Sequence, residues 1–288
     1  LTKKKLMGTT ASFEGTERYY LNEELRSIVN MALAMEKPLL LTGEPGTGKT
    51  QLAFEIARDL KMELIELRAK STIKGEEVCY VQDTVLRLND ARFGTGDTGR
   101  DVSRFFDYVV WGPIGRAFRA DKKVVLLLDE IDKTESDVQD NLLDVLEECQ
   151  FAIREVNQMV KAANKPVIII TSNAKRELSD PFLRRCFCHH IPFPSVDEMK
   201  KIVDLHFPEL DLNFLETALT VFYELREKGF EKPPATSEFL NWLEALKIDR
   251  PESLEADQLP YIGTLLKRTN DILQYRQKKP NPPRRMGW

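Results

Sequence analysis

The sequence of 288 residues predicts a parallel α/β sheet domain followed by a smaller all-helical unit, and three observations predict it. Residues 124–128 (Val-Val-Leu-Leu-Leu) and 167–170 (Val-Ile-Ile-Ile) are continuous apolar runs, as strands covered on both faces require. Short apolar runs alternate with stretches of helical period, the order that builds a parallel sheet with helices on its faces. Past Pro192 and Pro194 the strand pattern stops, and only helical stripes follow. A chain of this length can bury one sizeable core and a second, smaller one.

Taken in order, Leu21, Leu25, Ile28, Val29, Ala32 and Leu33 recur at helical spacing until Pro38 ends the helix. A first strand follows at 38–41. Leu52, Ala53, Ile56, Ala57 and Leu60 mark the next helix face, and a short strand falls around 64–67. Residues 89–103 carry Gly94, Gly96 and Gly99 among polar neighbours and read as a mobile insertion. After the strand at 124–128, Thr134 and Asp137 have the spacing of a capping box, ahead of a stripe of Val138, Leu142, Val145, Leu146 and Cys149. The strand at 167–170 is followed by a fifth at 187–191. Three helical stripes then cover Val196 to Val203, Leu212 to Leu225 and Phe239 to Leu246. The end, 277–288, is basic and proline-rich and predicts a poorly ordered tail.

Composition limits the function classes. The net charge of −4 gives no overall basic field, so any nucleic-acid contact has to come from a local patch. No apolar run approaches the roughly 18 residues of a spanning helix, so no membrane partner is expected. Leu1 to Lys5 is basic but lacks the apolar stretch of a secretory signal, which leaves a soluble, cytoplasmic chain as the expectation. The 4 cysteines are too sparse for a disulfide framework and suit a reducing compartment. Cys186-Phe187-Cys188-His189-His190 lacks zinc spacing and a second cluster, so it reads as a half-buried strand.

The chemistry begins at Gly43-Glu44-Pro45-Gly46-Thr47-Gly48-Lys49-Thr50, a G-x-x-x-x-G-K-T loop between a strand and a helix that continues with Gln51. Glycines let successive backbone N–H groups turn onto phosphates, and the helix points its positive end at the same charge. Lys49 then reaches the β- and γ-phosphates, and the Thr50 hydroxyl ligates magnesium. Asp129-Glu130 ends the 124–128 strand, and strand C-termini are where ligands sit in open α/β sheets. Asp129 is placed for the magnesium shell and Glu130 for polarising a water against the γ-phosphate. Thr171-Ser172-Asn173 ends the next strand, and the Asn173 amide can orient that water. Arg184-Arg185 precedes the fifth strand; an arginine pair is in general a solvated or ion-paired surface feature.

These motifs together resemble the AAA+ ATPases, and within them the MoxR group, over about residues 20–250. Gly43 to Thr50 resembles the Walker A loop, 124–130 the Walker B strand with its Asp-Glu pair, Asn173 the sensor 1 asparagine, and Arg184-Arg185 the arginine-finger segment. The resemblance implies a P-loop NTPase (AAA+) sheet domain over 1–194 and a small all-helical lid domain over 195–276. The segment 111–118 (Trp-Gly-Pro-Ile-Gly-Arg-Ala-Phe) and the stretch 184–192 favour the MoxR group. That group carries an insertion and a hairpin near the pore or client, with candidates at about 70–108 and 151–163. Tyr80 or Met159 could touch a substrate there, or simply pack.

By resemblance the cofactors are ATP and Mg2+, the assembly is a homo-oligomeric ring of six, and hydrolysis is completed by a neighbour's Arg185, with Arg184 as the alternative. The adenine is expected near Tyr20 and Leu21. The client is a protein to be remodelled or matured, with a von Willebrand factor A domain protein as one candidate. The family's sensor 2 arginine has no counterpart, since Glu238 stands at the matching place; Arg268 could substitute. Two other readings stand beside this one. The chain could be the motor subunit of a nucleic-acid-directed restriction or defence complex, like the McrB-type GTPases, or a nucleotide-gated scaffold with little turnover.

Overall fold

The computed structural model describes residues 12–73, 75–173, 176, 178–249, 254–255 and 258–277. The basic N-terminus and the tail from 278 onward, both singled out above, lie outside the described residues. The described chain forms two compact units. One holds the residues up to Gly43 together with Lys49–Ile191, the other Glu44–Gly48 with the residues from Pro192 on.

The first unit opens with α1 (Glu23–Met35). The Asn22 side chain caps it by accepting from the Leu25 N–H, and a left-handed Glu36 followed by Pro38 ends it. Then come β1 (Leu39–Thr42), α2 (Lys49–Asp59), β2 (Leu64–Arg68), β3 (Tyr80–Gln82), α3 (Thr84–Phe93), β4 (Val109–Trp111) and α4 (Pro113–Phe118). They are followed by β5 (Val125–Asp129), α5 (Ser136–Glu148), the pair β6 (Gln150–Ile153) and β7 (Gln158–Lys161), β8 (Val167–Ser172), α6 (Asp180–Arg185) and β9 (Phe187–His190).

Five of these strands make one parallel sheet in the order β2-β5-β8-β1-β9. Alternate residues face opposite layers, which is why residues 125–128 of β5 and 167–170 of β8 had to be apolar. Leu39, Leu41, Val125, Leu127 and Ile169 pack with Leu25, Val29, Leu52 and Ile56 of α1 and α2. Leu40, Leu126, Leu128, Ile168 and Ile170 face Ile114, Phe118, Leu142 and Leu146. Each fully buried leucine here is worth roughly 1.5–3 kcal/mol of hydrophobic burial. Because all five strands run the same way, the segments that leave β1, β5 and β8 emerge at one edge of the sheet.

Several local expectations need correction. Residues 89–103 are not structureless: Asn89 and Asp90 lie in α3, and Asp90 is buried, accepting from Arg100 Nε at 2.7 Å and from the Tyr108 hydroxyl at 2.9 Å. The Arg100 guanidinium, against the cost of burial, holds the Asp90 carboxyl below its ordinary value. This helix escaped the sequence pattern because it buries a carboxylate and leaves Val85, Leu88 and Phe93 exposed. Thr134 does not cap α5. Its hydroxyl donates to the Ile131 carbonyl at 2.7 Å to close a single 3-10 turn, and Glu135 takes the N-cap position without a side-chain bond. On α5, Gln139 and Leu143 are buried beside Leu142 and Leu146, while Val138 and Val145 are only half-buried.

β6 and β7 pair antiparallel around a left-handed Asn157. Tyr80 is a packing residue: its ring stacks on Phe151 and its hydroxyl donates to Glu155 at 2.8 Å. Met159 on β7 is exposed. Gly112 and Gly115 have a packing reason as well, since a Cβ at either would collide with the Val78 or Cys79 carbonyl as α4 lies directly on that segment.

The second unit carries α7 (Val196–His206), α8 (Leu212–Glu227), α9 (Thr236–Ile248), α10 (Ile262–Leu265) and α11 (Thr269–Gln277). A capping box between Ser195 and Glu198 starts α7. The core gathers around Phe222, Phe239 and a fully buried Trp242, whose indole N–H donates to the Pro260 carbonyl at 2.9 Å. Among the described residues no helix is long and apolar enough to cross a membrane.

Candidate nucleotide site

The phosphate loop leaves β1 at Gly43 and enters α2 at Lys49. Gly43, Gly46 and Gly48 all have positive φ (149°, 80° and 88°), a run that side-chain-bearing residues resist and that turns backbone N–H groups inward. Lys49 is buried, with its ammonium donating to the Gly43 carbonyl at 2.9 Å, so the cation spans the loop's two ends. The buried Thr47 hydroxyl donates to the Glu44 carbonyl at 2.9 Å. Within the second unit, Glu44 accepts from Arg226 Nη2 at 2.9 Å, while Pro45 is exposed. Gln51 faces along α2 and donates to Glu55 at 2.7 Å.

The Thr50 hydroxyl donates to Asp129 Oδ1 at 2.7 Å, which joins the start of α2 to the end of β5. A hydroxyl and a carboxylate in contact are the hard oxygen donors that magnesium takes, alongside phosphate oxygens and water. No group of three or more His, Cys, Asp or Glu that could hold a metal alone exists among the described residues. The donor set therefore fits a magnesium that arrives with a nucleotide, not a stand-alone protein metal site.

Glu130 follows in a left-handed conformation (φ 57°, ψ 47°), which swings its side chain out of the strand direction. Asn173 Nδ2 donates to Glu130 Oε1 at 2.9 Å, and the Lys133 ammonium pairs with the other oxygen. The Asn173 backbone N–H donates to the buried Asp132 at 3.2 Å. Thr171, fully buried, contacts both acidic residues: its hydroxyl donates to Asp129 Oδ1 at 2.7 Å and accepts the Glu130 N–H at 2.8 Å. Lys49, Thr50, Asp129, Glu130 and Asn173 are thus brought to one sheet edge.

Arg184 and Arg185 sit elsewhere, in the last turn of α6. Arg185 is occupied by two carboxylates of α5, with Nε at 2.6 Å from Glu147 and Nη2 at 3.4 Å from Asp144; Arg184 is exposed. Glu238 serves its own helix, accepting the Ala235 N–H at 3.2 Å and the Ser237 hydroxyl at 2.9 Å at the start of α9. Arg268, the candidate substitute, is ion-paired with Glu231. Sequence reasoning missed Lys133, Asp132 and any role for Thr171. The first was legible as a lysine three residues after Glu130; the others needed the strand order.

Residues 39–195 match the family model described as "ATPase family associated with various cellular activities (AAA)". Among curated proteins the chain is similar to the replication factor C large subunit of Methanocorpusculum labreanum, 26% identical over 180 residues, covering 60% of this chain and 28% of that protein. It is also similar to replication factor C small subunit 1 of Pyrobaculum aerophilum, 27% identical over 201 residues, covering 67% of this chain and 48% of that protein. The chain thus spans between about a quarter and a half of these relatives' length. A solved structure of a Thermotoga maritima RuvB mutant shares the fold with a TM-score of 0.51 at 15% identity, over 90% of this chain and 70% of that one. With more than half of its length matched, and Lys49, Thr50, the paired acidic residues and the strand-end asparagine at one sheet edge, the chain belongs to the AAA ATPase family and is an ATP hydrolase.

Proposed function

We propose that this ATPase works as a MoxR-like ring, six-membered by family resemblance, that couples ATP hydrolysis to remodelling or maturing a client protein in the cytoplasm. The observation that carries the catalytic part is the Asn173–Glu130 contact beside the Thr50–Asp129 pair. A γ-phosphate seated by Lys49 meets a carboxylate already aimed by an amide, the arrangement that activates an attacking water. Magnesium, held by Thr50 and Asp129, would neutralise phosphate charge when bound. Tyr20 and Leu21 remain the proposed neighbours of the adenine.

Arg185, held by Asp144 and Glu147, is the proposed cation for the adjacent subunit's nucleotide, with the exposed Arg184 as the alternative. What supports an assembly is that both replication factor C relatives are named as subunits. What supports the MoxR assignment is narrower: the antiparallel β6–β7 pair and the ordered insertion around α3. The relatives lend that assignment nothing, and a von Willebrand factor A domain client rests on family resemblance alone. The replication factor C names favour a second reading, a motor stimulated by nucleic acid.

The test is turnover per subunit against protein concentration, with and without duplex DNA. Shared sites predict turnover that climbs as the ring assembles; constant turnover at every dilution contradicts them. Strong stimulation by DNA moves the weight to the second reading.

A further inference from the structure

Thr171 occupies the next-to-last position of β8, is 1% exposed, and has no side-chain role in the reading above. Its hydroxyl has one proton to give and lone pairs to receive. The proton goes to Asp129 Oδ1 at 2.7 Å, and a lone pair takes the Glu130 backbone N–H at 2.8 Å. Asp129 Oδ1 also receives the Thr50 hydroxyl at 2.7 Å, so two hydroxyls from two elements fix that carboxylate.

The second bond matters because of where the sheet stops. Pairing between β5 and β8 runs from Val125↔Val167 to Leu128↔Ile170, and Thr171 pairs onward with Leu41 of β1. Beyond Leu128 the ladder no longer holds β5 to β8. The Thr171 hydroxyl takes over there, on the N–H of a residue in the sparsely populated left-handed region, φ 57°. Without it, the Glu130 backbone is free to relax toward right-handed conformations, and the carboxylate leaves the reach of Asn173.

We propose that Thr171 is a positioning residue for ATP cleavage: one hydroxyl sets the turn that aims Glu130 and orients Asp129 toward Thr50. This rests on the roles given to Asp129 and Glu130 above. Thr171→Val keeps the shape and removes the hydroxyl; Thr171→Ser keeps the hydroxyl and removes the methyl. The valine variant is expected to lose about 10- to 100-fold in kcat at an ATP KM within about threefold of the parent, the signature of an interaction made for the transition state. Its magnesium half-saturation should rise, and the serine variant should recover kcat to within about threefold.

In ligand-free protein, hydrogen exchange at the Glu130 amide should speed up in the valine variant and not in the serine variant. Parent-like kcat and amide protection in Thr171→Val overturn the proposal, and so does a serine variant as slow as the valine one, which assigns the effect to packing. If the valine variant does not fold, Thr171→Ala against Thr171→Ser makes the same comparison, since those two differ by the hydroxyl alone. Glu130→Gln run in parallel separates the two levels of argument. Normal turnover there removes the underlying site, whereas an inactive Glu130→Gln beside an active Thr171→Val removes only the role of Thr171.

Discussion

Replacing Glu130 by glutamine is the most discriminating single change, because the structure separates its effect on chemistry from its effect on folding. The glutamine carbonyl still accepts the Asn173 Nδ2 bond of 2.9 Å, and the Thr171 bond involves only the backbone N–H. What folding loses is the ion pair with Lys133, whose side chains are 46% and 35% exposed, a contact worth at most about 1 kcal/mol. The chemical loss is larger. Removing a positioned general base costs roughly 10²- to 10⁴-fold, or about 2.7 to 5.4 kcal/mol at 1.36 kcal/mol per decade. Turnover should therefore collapse in a protein that is still folded and still binds. The assay is steady-state phosphate release at saturating ATP, with titration of a fluorescent ATP analogue and a melting curve on the same preparation. Turnover within about threefold of the parent, with binding retained, refutes the assignment of Glu130 as the base.

Three further outcomes follow from the same geometry. Lys49→Ala should abolish nucleotide binding with little change in melting temperature measured without nucleotide; retained binding in an equilibrium titration contradicts the phosphate-loop reading. Trp242→Ala should destabilise the helical unit by about 3–5 kcal/mol through the cavity and the lost bond to Pro260, as read by denaturant melts. Asp90, whose folded pKa is depressed by Arg100, stabilises the insertion above its unfolded value of about 3.9 and loses that contribution as pH falls through the folded value. Hydrogen exchange over residues 84–108 should thus accelerate below about pH 4 in the parent, while Asp90→Asn exchanges fast already at pH 7; a variant indistinguishable from the parent contradicts a stabilising Asp90–Arg100 pair.

Much of the sheet domain was legible because its residues obey one rule at a time. β5 and β8 are apolar on both faces, and the G-x-x-x-x-G-K-T loop joins a strand to a helix. Where two rules compete, the pattern misleads. Thr134 had the spacing of a cap, yet its hydroxyl satisfies the Ile131 carbonyl in the turn after Asp129-Glu130. Helix α3 was hidden because its buried group is Asp90, matched to Arg100 across ten residues of glycine-rich sequence. For Tyr80 the sequence left client contact and packing both open, and stacking on Phe151 decides for packing. For the site, each strand-end motif could be read alone; that Thr171 bridges Asp129 and Glu130 depends on β8 lying beside β5, which no local pattern encodes.

The claim on which the account turns is that an ATP seated on one chain is cleaved with a cation from another. Mixed assemblies isolated through two different tags test it, one chain carrying Lys49→Ala and the other Arg184→Ala with Arg185→Ala. Each variant alone lacks one half of a site and should turn over ATP at least about 10³-fold slower than the parent. The mixture should regain turnover, because the second chain's nucleotide then meets the first chain's arginines. Verified mixed assemblies that stay as inactive as either variant alone would contradict it.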